Sequence, residues 1–215
     1  MRRTDGGSRE EITYSDKKKI VKLLTDRWAS DKINKVKNAA AQDAERENTM
    51  ARPFDYTAEY KRKLCTADEA ARVVKSGDWI DISMGTGFPS LMDAAIAKRK
   101  DELREVKIRG YLIFDPIQMV ECDPERRHFV YNSWHMSGYE RKLCDRGLCN
   151  FNPMMFRNLG AYYDHFLTVN VAITCVTPMN EHGYFNFSVS NASARAVLDK
   201  ADVVILEVNE NLPWV

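Results

Sequence analysis

The run Thr168-Val169-Asn170-Val171-Ala172-Ile173-Thr174-Cys175-Val176-Thr177, with its later counterpart Val203-Val204-Ile205-Leu206-Glu207-Val208, decides the fold. Both are near-continuous apolar runs of strand length, the pattern of strands covered on both faces in a parallel sheet. Between them lie a turn, Pro178-Met179-Asn180-Glu181-His182-Gly183, and a small-residue segment that reads as a helix from about Asn191. Strand, helix and strand make a βαβ unit, which presents its ligand-facing loops at the carboxyl ends of the strands. Polar loops rich in Asn and Glu stand at both of those ends, 178–183 and 209–212.

The same alternation extends upstream. Thr66, with Glu69 three residues on, forms a capping box for a helix running to Lys75, and Ser76-Gly77 ends it. Residues 79–84 read as a strand that closes in Gly85-Thr86-Gly87-Phe88-Pro89. Pro89 suits the first turn of a helix that carries Leu91, Ala94, Ala95 and Ile96 toward the sheet. Strands are expected at 106–114 and 129–132, and helical segments at 137–146 and 153–166 around a loop at 147–152. Strands alternating with helices place the chain in the α/β class, with a mainly parallel sheet flanked by helices. No repeat of solenoid period interrupts the pattern.

Residues 1–49 differ from the rest. They hold 12 Lys/Arg against 9 Asp/Glu, leaving 20 against 22 in residues 50–215, so the folded part is slightly acidic. Their best apolar stripe, Ile20, Leu24 and Trp28, has helical spacing, and the segment reads as a charged extension, mobile or helical. Met50-Ala51-Arg52-Pro53 looks like a natural start, giving an expected division into 1–49 and a 50–215 domain. A net charge of +1 gives no electrostatic reason for nucleic acid or an anionic membrane, and no apolar run approaches the ~20 residues of a membrane span. Five cysteines without a repeated CxxC spacing, and no apolar leader, point to a reduced, cytoplasmic setting without a metal site.

Three constellations could carry chemistry. Gly85-Thr86-Gly87 stands between a strand and a helix, where glycines let backbone N–H groups approach a ligand oxygen; the plainer reading is a tight βα turn. The spacing fits neither a Walker loop nor GxGxxG, since Ser90 takes the third glycine position. The run from Asn132 to Gly138 groups Ser133, Trp134, His135 and Ser137, yet Ser137 lacks a GxSxG elbow and His135 lies only two residues away, so a serine hydrolase is not supported. His182 is the better ligand-facing histidine by position, although a histidine that serves its own loop backbone is the plainer reading. Glu207, at the end of the last strand, could face a site or hold loop N–H groups.

Taken in order, Thr66-Ala67-Asp68-Glu69-Ala70 with Lys75-Ser76-Gly77-Asp78, then Gly85 to Pro89, Ser133 to Arg141, Pro178 with Glu181-His182-Gly183-Tyr184, and Val204 to Pro213 resemble the N-terminal half of the acetyl-CoA hydrolase/transferase family. Within that family it resembles the 4-hydroxybutyrate and butyryl-CoA:acetate CoA-transferases. The resemblance covers roughly 56–212 and implies two similar α/β halves, of the class I CoA-transferase kind, with acyl-CoA in the cleft between them. It also implies covalent catalysis by a glutamate that forms an acyl anhydride and then a glutamyl-CoA thioester. That glutamate belongs to the second half, so neither Glu207 nor Glu210 inherits the role and no catalytic residue is assigned here. Family members continue past Pro213, whereas this chain stops at Trp214-Val215 and is expected to be a fragment or one of two subunits, inactive alone.

The resulting expectation is acyl-CoA:carboxylate CoA-transfer, with Gly85, Thr86 and Gly87 offering N–H groups near the thioester oxygen and Ser137, His182 and Gly183 lining the cleft. Acyl-CoA and a short-chain carboxylate are the expected ligands, without a tightly bound cofactor. A C-terminal half or second subunit, in an oligomer of like or unlike chains, is the expected partner. Two rivals remain at this point: a non-catalytic subunit that binds CoA or shapes a partner's site, and a phosphosugar-binding protein on a related sheet.

Overall fold

The two apolar runs form adjacent parallel strands, β7 (Val171–Val176) and β8 (Val203–Asn209), paired from Val171 opposite Val203 to Val176 opposite Val208. The structure is a computed structural model that describes residues 18–24 and 55–215. In chain order the other strands are β1 (Lys18–Leu24), β2 (Leu64–Cys65), β3 (Trp79–Ile82), β4 (Val106–Gly110), β5 (Phe129–Ser133) and β6 (Cys149–Phe151). The helices are α1 (Tyr56–Lys63), α2 (Ala67–Ala71), α3 (Ser90–Ala97), α4 (Gln118–Glu121), α5 (Gly138–Asp145), α6 (Leu159–His165) and α7 (Ala194–Lys200).

The sheet order is β2-β1-β8-β7-β3-β4-β5-β6. Six neighbouring strands, from β8 to β6, are parallel, and β1 and β2 add antiparallel strands at one side. The chain winds outward from β3 through β4 and β5 to β6, then returns to the opposite flank of β3 as β7 and β8. The winding direction therefore reverses between β3 and β7, which defines a topological switch point.

Period-two alternation sends successive side chains to opposite faces and so makes two cores. Ile80, Ile82, Ile108, Val171, Ile173 and Ile205 pack with residues of α2, α3, α4 and α5 on one face. Ala172, Val176, Val204, Leu206 and Val208 pack with α6 and α7 on the other. Fully burying a side chain such as Ile80 or Ile108 contributes ~2 kcal/mol, so the six-strand body is held chiefly by these two layers.

Local signals explain the element ends. Thr66 caps α2 in the expected box with Glu69, but the helix stops at Ala71 and continues only as turns toward Lys75. Strand β4 ends at Gly110, short of the expected 114, because Leu112 adopts φ 50° and breaks the pleat. Residues 147–152, expected to be a loop, contain β6, which a three-residue run is too short to announce by alternation. Ile20 and Leu24 lie in a strand and not in the helix that their spacing with Trp28 suggested; Trp28 itself lies outside the described residues. A short isolated helix with so few apolar positions is marginal, whereas the outer edge of β8 offers a backbone ladder running from Lys18 opposite Asn209 to Leu24 opposite Val203. Among the described residues, no helix is long and apolar enough to cross a membrane.

Candidate functional site

Ligands of open α/β sheets bind outside the carboxyl ends of the strands at the switch point, here the ends of β3 and β7. Strand β3 delivers Ser83, Met84 and the Gly85-Thr86-Gly87 turn to that place. Strand β7 delivers the long connection 177–193, and β4 delivers Tyr111 and Phe114. These three segments form the rim of a crevice.

The turn is built for close approach. Gly85 has φ 53°, and a Cβ on Gly87 would stand 2.6 Å from Ser83 Oγ and 2.9 Å from Ser190 Cβ, so only glycine fits at 87. Gly87 N–H donates to Ser190 Oγ at 3.0 Å, and Thr86 Oγ1 lies 2.9 Å from the same oxygen. Gly85 N–H donates to Leu112 O at 3.1 Å. Two of the three amides expected to meet a ligand are thus engaged inside the chain. Thr86, on the exposed tip, is the residue whose N–H has no acceptor among the described residues. Phe114, exposed beside Gly85, adds an apolar shoulder to this rim.

The connection 177–193 carries strain and hydroxyls together. Ser188 and Ala192 hold φ of 53° and 24°, conformations that cost a side-chain-bearing residue energy and recur where a loop is shaped for binding. Ser188 Oγ is buried without a hydrogen-bond partner. His182 and Gly183 stand earlier in the connection. His182 is exposed, with Nε2 3.3 Å from Glu181 Oε1. Gly183 has φ 82°, and a Cβ there would overlap the Tyr56 ring of α1. The residue brought onto the Gly85–Gly87 turn is Ser190, which composition alone did not distinguish from its neighbours. Ser137 is held differently: it is buried as the N-cap of α5, its hydroxyl donating to Ile113 O and accepting from Glu140 N–H at 3.1 Å. Both hydroxyl bonds are internal, so the part it plays is that of a cap.

Below the rim, on the α6–α7 face, lies a buried ion pair. Arg109 Nε and Nη2 donate to Asp81 at 3.0 and 2.6 Å, Tyr163 Oη donates to Asp81 at 2.6 Å, and Arg109 also donates to Thr168 O. The guanidinium stacks 4.5 Å from the centre of the Trp79 ring. Burial pushes the Asp81 carboxyl up, and Arg109 with Tyr163 pull it back down. A small pocket of about 30 Å³, room for one or two waters, is lined by this pair and by Ser83, Tyr111, Trp134 and Ser193. Tyr111 Oη and Ser193 Oγ, 3.1 Å apart, link β4 to the start of α7 across it. Trp134 Nε1 is buried and meets no partner in hydrogen-bond geometry, and burial together with the Asp81 charge pushes the neighbouring Tyr163 hydroxyl well up.

Buried carboxylates on the opposite face tie the rim segments to the helices behind them. Glu207 is fully buried, and its Oε2 accepts from Leu91 N–H at 3.1 Å and Met92 N–H at 3.0 Å in the first turn of α3. A carboxylate in this place satisfies two orphan donors and complements the helix dipole. Asp93, in the same turn, accepts from Gln118 and Met119 N–H at 2.6 and 3.1 Å, which start α4. Burial pushes the Asp93 carboxyl up to about 7 against those two amides, and the Glu207 charge adds to the push. Glu140 gathers Ile113 N–H, Tyr131 Oη, Ser133 Oγ and Ser137 N–H. Only the Glu140 arrangement had a sequence signal, the Ser-x-x-Glu box, since the partners of Glu207 and Asp93 are remote in the chain. No group of His, Cys, Asp and Glu suited to a metal ion occurs among the described residues.

The fold is a doubly wound α/β domain in which a glycine turn and a hydroxyl-bearing loop meet at the switch point. Comparison with known proteins gives that class a family. The model of the acetyl-CoA hydrolase/transferase N-terminal domain matches residues 47–215, and the chain belongs to that family. It is 45% identical over 161 residues to a butyryl-CoA:acetate CoA-transferase of Anaerostipes caccae, covering 74% of this chain and 36% of that protein. It is 35% identical over 158 residues to a succinyl-CoA:cyclohexane-1-carboxylate CoA transferase of Geobacter metallireducens, covering 74% and 36%. The chain thus spans about a third of the length of the curated relatives it matches. Among solved structures, RipA from Yersinia pestis superposes with a TM-score of 0.68 at 24% identity, covering 75% of this chain and 40% of that one, a likeness of fold.

Proposed function

We propose that this chain contributes the N-terminal wall of an acyl-CoA:carboxylate CoA-transferase, acting on a short-chain carboxylate. The observation that carries the reading is the family membership together with the switch-point crevice, whose rim presents the Thr86 amide on a turn that only glycine can form at 87. In this reading Thr86 N–H faces the thioester oxygen, Gly85 and Gly87 let the acyl group approach, and the His182-Gly183 stretch borders the cleft. Ser137 serves the rim indirectly through its cap. The attacking carboxylate is supplied by sequence beyond this wall, from the same polypeptide or a second subunit, and CoA is a substrate and not a resident cofactor. Five free cysteines suit a reduced, cytoplasmic setting.

The test joins this chain to the remaining C-terminal part of the Anaerostipes caccae relative and assays CoA exchange between acetyl-CoA and butyrate. Exchange is expected, with loss in the Gly85→Val/Gly87→Val double variant. Full exchange in that variant would remove the turn from the site. The rival reading is a non-catalytic subunit that binds CoA or shapes a partner's site. That rival predicts CoA affinity without turnover in the same hybrid.

A further inference from the structure

We propose that Glu207 is the positioning residue of the acyl-CoA site, holding the Gly85-Thr86-Gly87 turn in register through the first turn of α3. The proposal rests on the CoA-transfer reading and adds to it a residue that never touches substrate. Three side chains from the β7–α7–β8 unit converge on residues 85–92. Ser190 holds Gly87 N–H and lies beside Thr86 Oγ1. Cys175 Sγ, from β7, is 3.2 Å from Phe88 O and 3.6 Å from Glu207 Oε1. Glu207, from β8, holds Leu91 and Met92 through a single oxygen. Of the three, only Glu207 is a carboxylate, and a carboxylate at this place makes stronger hydrogen bonds than a hydroxyl or thiol can.

Its placement has a chemical consequence. A helix N-terminus next to a glycine turn is the ordinary seat for a ligand's anionic oxygen. Here the protein's own carboxylate sits on that end of α3, so a substrate oxygen meets the Thr86 amide on the outer side of the turn instead. Asp93 extends the device: by accepting from Gln118 and Met119 N–H it anchors the segment that follows Phe114, the neighbouring rim. One turn of α3, residues 91–93, therefore sets the spacing of both rims, and Glu207 sets that turn.

The experiment uses Glu207→Gln, which keeps the side chain's size and one acceptor oxygen, in the hybrid enzyme and in this chain alone. The hydrogen bonds weaken from charged to neutral, and the expected loss in kcat is about tenfold with KM within about twofold, because the amide is displaced from the developing charge and binding is largely kept. In the chain alone, the Gly87, Leu91 and Met92 amides are expected to exchange with deuterium about tenfold faster, while amides late in α3 keep their protection. Glu207→Ala should lower kcat further, so that the glutamine variant counts as partial rescue. A wild-type hybrid that turns over, with Glu207→Gln equal to it in kcat and in exchange, overturns the role of Glu207 alone. A soluble, co-purifying wild-type hybrid without CoA exchange overturns the transferase reading and the proposal with it.

Discussion

Replacing Arg109 with Met should destabilise the domain by about 3–5 kcal/mol, and more at pH 8 than at pH 5. Asp81 and Arg109 are 4% and 3% exposed, so water does little to screen either charge. Met preserves the stacking volume against Trp79 but removes the donors to Asp81 and Thr168 O. Removing one member of a buried pair leaves the other charge uncompensated, which is the source of the penalty. Tyr163 Oη is then the one side-chain donor left to Asp81. Burial already raises the Asp81 pKa above its unfolded value. A group raised in this way contributes stability that is fully present below the unfolded pKa and is lost as pH rises through the folded one. Without Arg109 the folded pKa climbs further, so the variant binds a proton to escape the buried charge and suffers most at alkaline pH. Urea unfolding monitored by far-UV circular dichroism at the two pH values gives the numbers, and the double variant Asp81→Asn/Arg109→Met keeps the measurement possible if the single one unfolds. The double variant should recover to within about 2 kcal/mol of the parent, because no net charge is left in the core. A loss below about 1 kcal/mol in Arg109→Met, equal at both pH values, would refute the argument and show that solvent reaches Asp81.

Two further outcomes follow from the geometry. Gly183→Ala combines a left-handed backbone with overlap of the Tyr56 ring, each costing about 1–3 kcal/mol, and should lower the melting temperature by several degrees; an unchanged midpoint would mean that Tyr56 moves aside freely. Deleting residues 1–49 should leave the six parallel strands intact but bare the outer edge of β8, so sedimentation should report self-association of the 50–215 polypeptide, and a strictly monomeric product would deny β1 its covering role.

The body of the fold was legible because its signals are local. The runs at Val171–Val176 and Val203–Asn209 are apolar at nearly every position, and Thr66 and Ser137 each stand three residues before a glutamate. Strand β1 was not legible, because Lys18–Leu24 owes its conformation to pairing with β8, nearly the whole chain away, and its own spacing suits a helix as well. The site divides along the same line. The place of Gly85-Thr86-Gly87 could be read from strand and helix flanking it, but the direction of its amides could not, since Leu112 and Ser190, which engage Gly85 and Gly87, are distant in sequence. Glu207 was open between two roles for an equivalent reason: what a carboxylate does is fixed by its donors, and those lie in α3.

The distribution of buried carboxylates accords with the proposed division of labour, in which this wall shapes a crevice and the nucleophile comes from elsewhere. A carboxylate that attacks a thioester must be approachable and must keep a lone pair free of strong donors. Each buried acid among the described residues fails that requirement. Asp81 is held by Arg109 and Tyr163, Asp93 by two amides of α4, Asp123 by the amides of Arg127, His128 and Phe129, Glu140 by four donors, and Glu207 by α3. Each of these bonds fixes a backbone segment or another side chain, and those of Asp93, Glu140 and Glu207 converge on the loops leaving β3 and β4. Buried acidic side chains here hold the segments around the loops leaving β3 and β4, and in the proposed reading the Thr86 amide on that rim faces an incoming acyl group. In the proposed reading, a nucleophile added from the opposite wall meets a rim whose backbone is already held in place, the preorganisation that developing negative charge on a thioester oxygen requires.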